Sequence, residues 1–355
     1  MGLNPAEAEQ GRGKKMTFNL QKAWHKAGKI STAHCVVFIQ KVQQKAGTGC
    51  LVSMEKSILV TGGTGLIGQP IVDSLVRQNQ PVKVLTRHPK PSTKPQLEYV
   101  RWNPSAMEID PDAMANVRGI LHLAGAPVAQ RWTVRSKQSI LDSRIQTTAL
   151  LAQAIAALPD EERPEVCVGA SAIGLYPSGP DLHHEESPGD EGFLADVVRA
   201  WETGVAGLGT LGVRTVSLRI GLVLSPRGGM LGKLLPIFKM GLGSAVGSGE
   251  QWQSWVHIID VQRAFEWALN QPDSAGAFNV VAPQPVTNSA LSSAIAKACN
   301  RPFWAPRVPP FALKLVYGDM ASVVLASQRV TSERIEKHGF AFQFSDLDEA
   351  LSDLI

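Results

Sequence analysis

Three glycines, Gly62, Gly65 and Gly68, follow a short apolar run and precede an amphipathic stretch. A strand that turns through glycines into a helix brings backbone N–H groups and the positive helix end together, which suits a bound pyrophosphate. The spacing alone is weak, since 32 glycines in 355 residues give roughly a quarter of such a match by chance. Because a predicted strand and helix flank it, we predict a dinucleotide site; the alternative is a turn that binds nothing.

The end of the next predicted strand, about 20 residues after the glycine loop, carries Thr86 and Arg87. An NAD-preferring site usually has Asp or Glu there to accept a hydrogen bond from the ribose 2′-hydroxyl. A guanidinium cannot accept that bond, but it can donate two charge-assisted bonds to a 2′-phosphate. We therefore predict NADP(H) as the cofactor; the alternative is that Arg87 is a solvated surface arginine.

Alternating strand and helix signals position these residues. Predicted strands cover residues 57–61, 81–87, 97–102, 119–125, 166–170, 215–223 and 278–281, and predicted helices cover residues 66–78, 136–158, 231–240 and 260–270. Repeated strand–helix–strand units imply parallel strands with helices on both faces. We predict an α/β fold, a doubly wound parallel Rossmann sheet with a smaller discontinuous C-terminal substrate lobe.

The predicted domain boundaries follow from a change in texture after Ser225, where glycine and proline punctuate the chain. We assign residues 54–228 to the Rossmann NADP-binding domain, completed by about residues 260–283. The C-terminal lobe then comprises residues 229–259 and 284–355. Residues 1–53 are predicted to be a basic extension, disordered or mis-assigned, with Met54 as a natural start.

Charge is concentrated in that extension, which holds eight of the 35 Lys and Arg and only two of the 31 acids. The remaining 27 basic and 29 acidic residues make the body slightly acidic, which argues against nucleic acid as a partner. No stretch has the roughly 18 apolar residues of a membrane span. The extension fails as a signal peptide, and an organellar transit peptide stays an alternative.

The four cysteines are scattered and form no CxxC pair, so we expect neither a zinc site nor a disulfide framework. His183, His184, Glu185 and Glu186 are sequential neighbours that seldom converge on one ion, so we predict no metal site. A reducing compartment fits the cysteine usage. The expected location is the cytoplasm, or the plastid stroma if the extension is a transit peptide.

Together with the glycine loop, the sequence Leu123, Ala124 and Gly125 resembles the extended short-chain dehydrogenase/reductase superfamily. Further motifs in order are HLAGAP at residues 122–127, RW at 131–132, SRIQTT at 143–148, SAIGLY at 171–176, WE at 201–202, LRIGLVL at 218–224, GSGEQWQSWVHIID at 247–260 and FNVVAP at 278–283. Over residues 56–355 they resemble the atypical epimerase-family branch, whose members include proteins described as cell-division inhibitor-like.

That resemblance implies a set of cofactor contacts. They are Gly62, Thr64, Gly65, Leu66, Ile67, Thr86, Arg87, Leu123, Ala124, Arg144 and Val223. Arg144 would place a cation near the cofactor phosphates. Its alternative is an ion pair on the helix surface.

Ordinary members of the superfamily use Ser, Tyr and Lys, with a YxxxK motif in which the ammonium lowers the phenol pKa. This chain has three tyrosines, and none of them begins a YxxxK motif. The resemblance aligns Leu194 with the Tyr and Val198 with the Lys. Ser171 matches the catalytic serine by position and Tyr176 follows five residues later; the alternative is a turn serine and a half-buried tyrosine.

The segment around His257 is placed at the substrate cleft by the same resemblance. Histidine titrates nearest neutrality, so His257 is a candidate acid/base, although a structural histidine is the alternative. Arg131, Trp132, Trp252 and Trp255 are candidates to contact a substrate ring or anion, or else to belong to the core.

Two functions follow. The first is an NADP-dependent oxidoreductase or epimerase acting on a small polar or sugar-like substrate, with Ser171, Tyr176 and His257 as the catalytic candidates. The second is a non-catalytic NADP(H)-sensing regulator with a protein partner in cell or plastid division, which the missing YxxxK motif favours.

Overall fold

The apolar run at residues 57–61 is an inner strand of an eight-stranded sheet in the computed structural model, which describes residues 56–355. The strands are β1 (Ser57–Thr61), β2 (Val82–Thr86), β3 (Leu97–Asn103), β4 (Glu108–Ile109), β5 (Val117–His122), β6 (Val166–Ala172), β7 (Leu182–His183), β8 (Arg214–Ile220), β9 (Leu222–Leu224), β10 (Trp252–Gln253), β11 (Trp255–His257), β12 (Gly276–Val280), β13 (Val286–Thr287) and β14 (Arg329–Val330). The α-helices are α1 (Gly68–Arg77), α2 (Val134–Ala156), α3 (Phe193–Gly207), α4 (Gly229–Lys239), α5 (Ile258–Asn270), α6 (Asn288–Ala298), α7 (Pro310–Tyr317), α8 (Ala321–Leu325), α9 (Glu333–Lys337) and α10 (Leu347–Leu354).

The main sheet has the order β12-β8-β6-β5-β1-β2-β3-β4. All neighbouring strands pair in parallel except β4, which is antiparallel to β3. The chain moves outward from β1 through β2 and β3, and then returns to β5 on the other side of β1. This reversal leaves a crevice at the carboxyl ends of β1 and β5, the place where open α/β sheets bind ligands.

Both faces of this sheet are covered, because successive side chains of a strand point to opposite sides. Ile58 and Val60 pack in one core with α1 and α5, whereas Leu59 between them packs in a second core with α2. The predicted doubly wound Rossmann fold is confirmed.

A third core lies in the C-terminal region, where apolar side chains of α4, α6 and α10 pack together. Two small sheets join this region, β9 paired in parallel with β11 and β10 paired antiparallel with β13. The separate C-terminal region is therefore present. The domain boundaries themselves stay a prediction, and residues 1–53 lie outside the described residues. No helix within residues 56–355 is long and apolar enough to cross a membrane.

The predicted strand at residues 215–223 is interrupted at Gly221. A Cβ atom there would lie 2.3 Å from the Ser254 carbonyl oxygen, so this close approach requires glycine. Before the break β8 belongs to the main sheet, and after it β9 pairs with β11. The sequence pattern missed the break because the residues on both sides are apolar and β-branched or leucine.

Candidate functional site

The glycine loop connects β1 to α1 at the crevice. Gly62 has φ +69°, and a Cβ atom on it would lie 2.8 Å from the Leu123 carbonyl carbon. A Cβ atom on Gly68 would lie 2.2 Å from the Gly62 carbonyl oxygen. Both positions therefore require glycine, the first for its backbone conformation and the second for the contact between helix and loop.

The amino end of α1 presents its backbone N–H groups to this loop without a side-chain cap. Thr64 and Gly65 are exposed, and Leu66 and Ile67 are partly buried. Leu66 approaches the residues just before α4, because its Cδ1 atom would lie 3.3 Å from a Cβ on Gly228. The Gly65 N–H donates to the Gly62 carbonyl oxygen, and the positive end of α1 has no side-chain cap, which suits a pyrophosphate.

The opposite wall of the crevice is formed by Leu123 and Ala124 after β5. Their backbone N–H groups both donate to the Thr61 hydroxyl oxygen, at 3.0 Å each. Thr61 also bonds His122 Nδ1 at 2.8 Å, and His122 Nε2 bonds Thr148 Oγ1 at 3.0 Å. The two neighbouring strand ends are therefore tied together by a buried hydrogen-bond chain.

This chain fixes the state of His122. Burial, together with the nearby Arg144 charge, lowers the His122 pKa from 6.5 to about 3, so the ring is neutral at physiological pH. Thr148 donates its own proton to the Arg144 carbonyl oxygen at 2.8 Å, which leaves its oxygen to accept from His122 Nε2–H. Nδ1 then accepts from Thr61, and every member of the chain has a partner. Sequence reasoning did not identify His122, although the HLAGAP motif contains it.

At the end of β2, no carboxylate occupies the position that would bind a ribose 2′-hydroxyl. Thr86 ends the strand, and its hydroxyl oxygen accepts from the His88 N–H at 3.3 Å. Arg87 is exposed and makes no hydrogen bond or ion pair within residues 56–355. Its guanidinium is available to a ligand at this edge of the crevice.

Arg144 lies on the buried face of α2, because Ile140, Arg144, Thr147 and Leu151 recur at helical spacing on that face. Only 7% of its surface is exposed. Its Nη1 atom donates to the carbonyl oxygens of Ile140 and Ala126, at 2.9 and 3.3 Å. Burial lowers its pKa from 12.5 to about 10, so it stays charged at neutral pH. The alternative interpretation, a helix-surface ion pair, is wrong.

A cleft of about 460 Å³ opens beyond the crevice, between the main sheet and the C-terminal region. Most of its lining side chains are apolar, and the uncharged polar ones are Ser178, Gln253, Ser254, Ser322 and Gln328. The apolar residues include Val128, Trp132, Ile173, Leu194, Val198, Trp201, Ile220, Leu222, Trp252 and Val323, and the charged residues are Arg144, Asp190 and Glu191. A second depression of about 510 Å³ lies at the amino ends of the strands, around Lys56 and Asp160, and is far from the crevice.

Leu194 and Val198, which align with the superfamily's Tyr and Lys, both line this cleft. They lie on one face of α3 with Trp201 and Val205, at helical spacing. The position where the superfamily places a phenol and an ammonium is therefore apolar here. The positively charged side chain that borders the same cleft is Arg144, on the neighbouring helix α2.

Ser171 and Tyr176 instead belong to a buried polar network at the ends of β6, β8 and β12. Ser171 Oγ donates to the Glu202 carboxylate at 2.5 Å. Tyr176 Oη donates to Asn279 Oδ1 at 2.7 Å and accepts from Arg219 Nη1 at 2.9 Å. Sequence reasoning singled out Glu202 in a motif, but it did not predict its pairing with Arg219.

The environment of Tyr176 opposes a role as acid/base. The ring borders the cleft but is only 1% exposed, and it stacks on His183. Burial raises the pKa of the phenol, against the opposing effect of Arg219. A phenol that exchanges a proton near neutral pH needs the reverse shift. The predicted catalytic use of Ser171 and Tyr176 is therefore not supported by their hydrogen bonds, and Tyr176 is fully buried rather than half-buried.

His257 is not at the cleft. It is the N-cap of α5, and its Nδ1 atom accepts from the Ile259 N–H at 3.2 Å. The ring packs on Phe344, with centroids 4.0 Å apart, and Nε2 lies 3.3 Å from Asp353. Burial lowers its pKa. The expectation of a catalytic His257 is corrected to a structural role, because the helix cap and the C-terminal region enclose the ring.

Two of the other aromatic candidates reach the cleft. Trp132 and Trp252 line it, whereas Trp255 is fully buried and belongs to the C-terminal core. Val223 lies in β9 and is partly buried, next to Leu224 of that core. His183 bonds the Pro177 carbonyl oxygen and Glu185 accepts from the Asn279 N–H, so these neighbours do not face a common point.

Two models of known protein families match this chain. The model of the NAD dependent epimerase/dehydratase family matches residues 58–281, and that of a domain of unknown function, DUF1731, matches residues 308–354. An epimerase family protein of Staphylococcus aureus strain N315 is 36% identical over 308 residues, covering 84% of this chain and 99% of the relative. One from Staphylococcus haemolyticus is 37% identical over 309 residues, with the same coverage.

Solved structures are similar as well. The human epimerase family protein SDR39U1 (isoform 2), crystallised with NADPH, has a TM-score of 0.73 and 28% identity, covering 84% of this chain and 98% of that one. A nucleoside-diphosphate sugar epimerase from Corynebacterium glutamicum has a TM-score of 0.67 and 28% identity, covering 84% of this chain and 58% of that one. The chain therefore belongs to the NAD-dependent epimerase/dehydratase family.

Proposed function

We propose that the chain binds NADP(H) at the β1–α1 loop and uses it as an oxidoreductase or epimerase on a small molecule in the adjacent cleft. The observation that carries this proposal is the exposed Arg87 at the end of β2, where an NAD site would have a carboxylate. The glycine loop, the uncapped α1 and the NADPH in the human relative's crystal support it.

The chain's own residues would hold the cofactor by three contacts. The loop and the amino end of α1 would bind the pyrophosphate, and Thr86 and Arg87 would bind the 2′-phosphate. Leu123 and Ala124, held in place by Thr61, would form the opposite wall of the cofactor crevice. When bound, NADPH supplies a hydride, and Leu194, Val198 and Trp201 would keep water from the reacting carbon.

The sequence predicts a small polar or sugar-like substrate. The cleft wall formed by Leu194, Val198 and Ile220 favours a compound with an apolar part, because sugar hydroxyls buried against that wall would lack partners. We therefore propose a substrate with an apolar ring or chain beside its carbonyl or alcohol carbon.

The test is calorimetric titration of the full chain with NADPH and NADH. We expect NADPH to bind at least tenfold more tightly, and Arg87→Ala to remove most of that difference, because one or two charge-assisted bonds are worth about 1.5–3 kcal/mol each. Arg77→Ala is the matched control, since Arg77 is exposed at the other end of α1. Equal binding of both cofactors by the parent chain would contradict the assignment.

A second candidate is an NADP(H) sensor without catalysis. It is favoured by the engagement of the Ser171 and Tyr176 hydroxyls inside the protein and by apolar residues at the Tyr and Lys positions. Transfer of deuterium from [4-²H]NADPH to any carbonyl of a broad panel would exclude it. Its link to cell or plastid division comes from the resemblance alone and stays a prediction.

A further inference from the structure

Large apolar side chains are exposed on two segments of the C-terminal region. Of the twelve that are exposed within residues 56–355, eight fall on residues 237–242 and 303–316. These eight are Ile237, Met240, Leu242, Phe303, Trp304, Phe311, Leu315 and Val316. Single exposed apolar side chains are normal on a protein surface, but a concentration of them marks an interaction site.

Hydrogen bonds hold the two segments side by side. The Ser244 hydroxyl donates to the Pro306 carbonyl oxygen at 2.6 Å, and the Val308 N–H donates to the Ala245 carbonyl oxygen at 2.9 Å. The turn after α4 is therefore joined to the linker that leads into α7. We call residues 229–249 and 299–318 together the α4–α7 surface.

Helix α7 presents apolar side chains to solvent. Phe311 and Leu315 lie one helical turn apart and are 74% and 80% exposed, whereas Leu313 is buried. Trp304, in the linker before this helix, is 67% exposed. Because removing such side chains from water is favourable, their exposure together indicates a partner that covers them.

The charged residues of the α4–α7 surface are all basic. It contains no Asp or Glu, although 31 of the 355 residues of the chain are acidic. Its basic residues are exposed and make no ion pair within residues 56–355, and they are Lys233, Lys239, Arg301, Arg307 and Lys314. Asp319, the first acid after α7, is paired with Lys137.

Two of these cations lie beside one another although they come from different segments. Burial raises the pKa of the Cys299 thiol, and the charges of Lys239 and Arg301 oppose that rise, so both lie near Cys299. Residues 54–355 hold 27 basic and 29 acidic residues in total. The α4–α7 surface is therefore a positive patch on a slightly acidic body.

Exposed aromatic and aliphatic side chains among unpaired cations fit an anionic lipid surface. Trp and Phe favour the headgroup level of a bilayer, and each Lys or Arg close to anionic lipid strengthens binding about fivefold. A second copy of this chain fits less well, because a twofold contact would bring the same cations together. A nucleic acid would pair with the cations but would leave Leu315 and Val316 without an apolar partner.

We propose that the α4–α7 surface binds peripherally to bilayers that contain anionic lipid, with Trp304, Phe311 and Leu315 entering the headgroup region. This inference goes beyond the proposed function and does not depend on the cofactor. Helix α8 packs on α7 and contributes Ser322 and Val323 to the cleft, so a bound chain would have its cleft beside the lipid.

The test is co-sedimentation of the full chain with vesicles of phosphatidylcholine alone and with vesicles of equal parts phosphatidylcholine and phosphatidylserine. We expect at least tenfold tighter binding to the anionic vesicles, and we expect added salt to weaken it. Phe311→Glu combined with Leu315→Glu should weaken that binding at least tenfold, because it removes apolar contacts and adds repelled charges. Ile145→Glu combined with Leu182→Glu is the matched control, since both residues are exposed outside this surface.

A single charge reversal tests the cations separately. Lys314→Glu should weaken binding to the anionic vesicles at least fivefold, and Arg77→Glu, at an exposed residue of α1, should change it little. Residues 1–53, which hold eight Lys and Arg, are present in every variant, so differences between variants report on the α4–α7 surface. Thermal midpoints close to that of the parent chain would show that the variants keep the fold.

Trp304 provides an arm without a charged substitution. Brominated lipid in the vesicles should quench part of the tryptophan fluorescence, and Trp304→Phe should lose that part. Equal vesicle binding by the parent chain and the Phe311→Glu, Leu315→Glu variant would overturn the proposal. So would a parent chain that binds neither vesicle and forms dimers that this variant does not form, because the surface would then be an interface between copies.

Discussion

The Glu202 carboxylate is held by the Arg219 guanidinium through two hydrogen bonds of 2.8 Å, one from Nε and one from Nη2. The pair connects α3 to β8 across the end of the main sheet, and both side chains are largely buried. Ser171 and Tyr176 join it from β6 and from the turn after β6. The residues expected to act on substrate thus serve to fix three elements around the cleft.

Removing one member of the Glu202–Arg219 pair should destabilise the folded protein. Glu202→Leu leaves the Arg219 cation buried without its counter-ion, so we expect the free energy of unfolding to fall by about 3–5 kcal/mol. Urea unfolding measures it. Glu202→Leu combined with Arg219→Met should recover part of the loss, and Glu186→Leu, in an exposed ion pair with Arg334, should cost less than about 1 kcal/mol. Equal losses at the two glutamates would contradict the argument.

Tyr176→Phe should act on stability rather than on chemistry. It leaves Asn279 and Arg219 each without one partner, which should lower the free energy of unfolding by about 1–3 kcal/mol. NADPH affinity should stay within about twofold, because the hydroxyl is not in the crevice. If the variant unfolded like the parent chain but lost hydride transfer, Tyr176 would be restored as an acid/base.

Acid should weaken the protein through His122 over a defined range. The pKa of His122 is about 3 in the folded protein and 6.5 in the unfolded chain. As the pH falls, the unfolded chain therefore takes up the proton first. The stability that neutral His122 provides is complete above pH 6.5 and is lost as pH falls from there toward 3, at about 1.4 kcal/mol per pH unit.

This prediction can be measured between pH 7.5 and pH 5, where most carboxylates stay charged. Over that range His122→Gln should lose about 2 kcal/mol less than the parent chain, because it lacks the titrating ring. Both proteins share the titration of His257, whose pKa is also lowered, so the difference isolates His122. Parallel stability curves for the two proteins would show that His122 is not the group concerned.

Gly68→Ala should damage the cofactor loop. Its Cβ atom would lie 2.2 Å from the Gly62 carbonyl oxygen, so α1 must move away from the loop. We expect NADPH affinity to fall at least tenfold and the thermal midpoint to drop. Gly209→Ala is the control, because a Cβ atom there meets nothing within 4 Å. Unchanged NADPH binding in Gly68→Ala would show that the loop does not hold the pyrophosphate.

The elements that follow from local pattern could be predicted from the sequence. The β1 run, the glycine loop and α1 were identified because burial on both faces gives a continuous apolar strand and because the turn needs glycines. The absence of the YxxxK motif could also be predicted, because it depends only on which residues stand at a fixed spacing in the sequence.

The partners of the polar side chains could not be predicted. Ser171 and Glu202 are 31 residues apart, and Tyr176 and Asn279 are 103 apart, so only the assembled sheet shows that they meet. His257 was expected at the cleft; its role as a cap had no local signal, because the helix is predicted to begin at residue 260 and histidine is not a preferred N-cap residue.

The break at Gly221 determines how freely the cleft could change its width. Ile220, Gly221 and Leu222 all line it, and they pass from one sheet to the other without an intervening loop. The Leu222 N–H donates to the Ser254 carbonyl oxygen, while the Gly221 N–H donates to that of Val280. A hinge at this point would need backbone free of hydrogen bonds, whereas the Gly221 and Leu222 N–H groups are both bonded to neighbouring segments. This wall of the cleft is therefore held by hydrogen bonds on both sides of the break, and any change in the width of the cleft would have to come from its other walls.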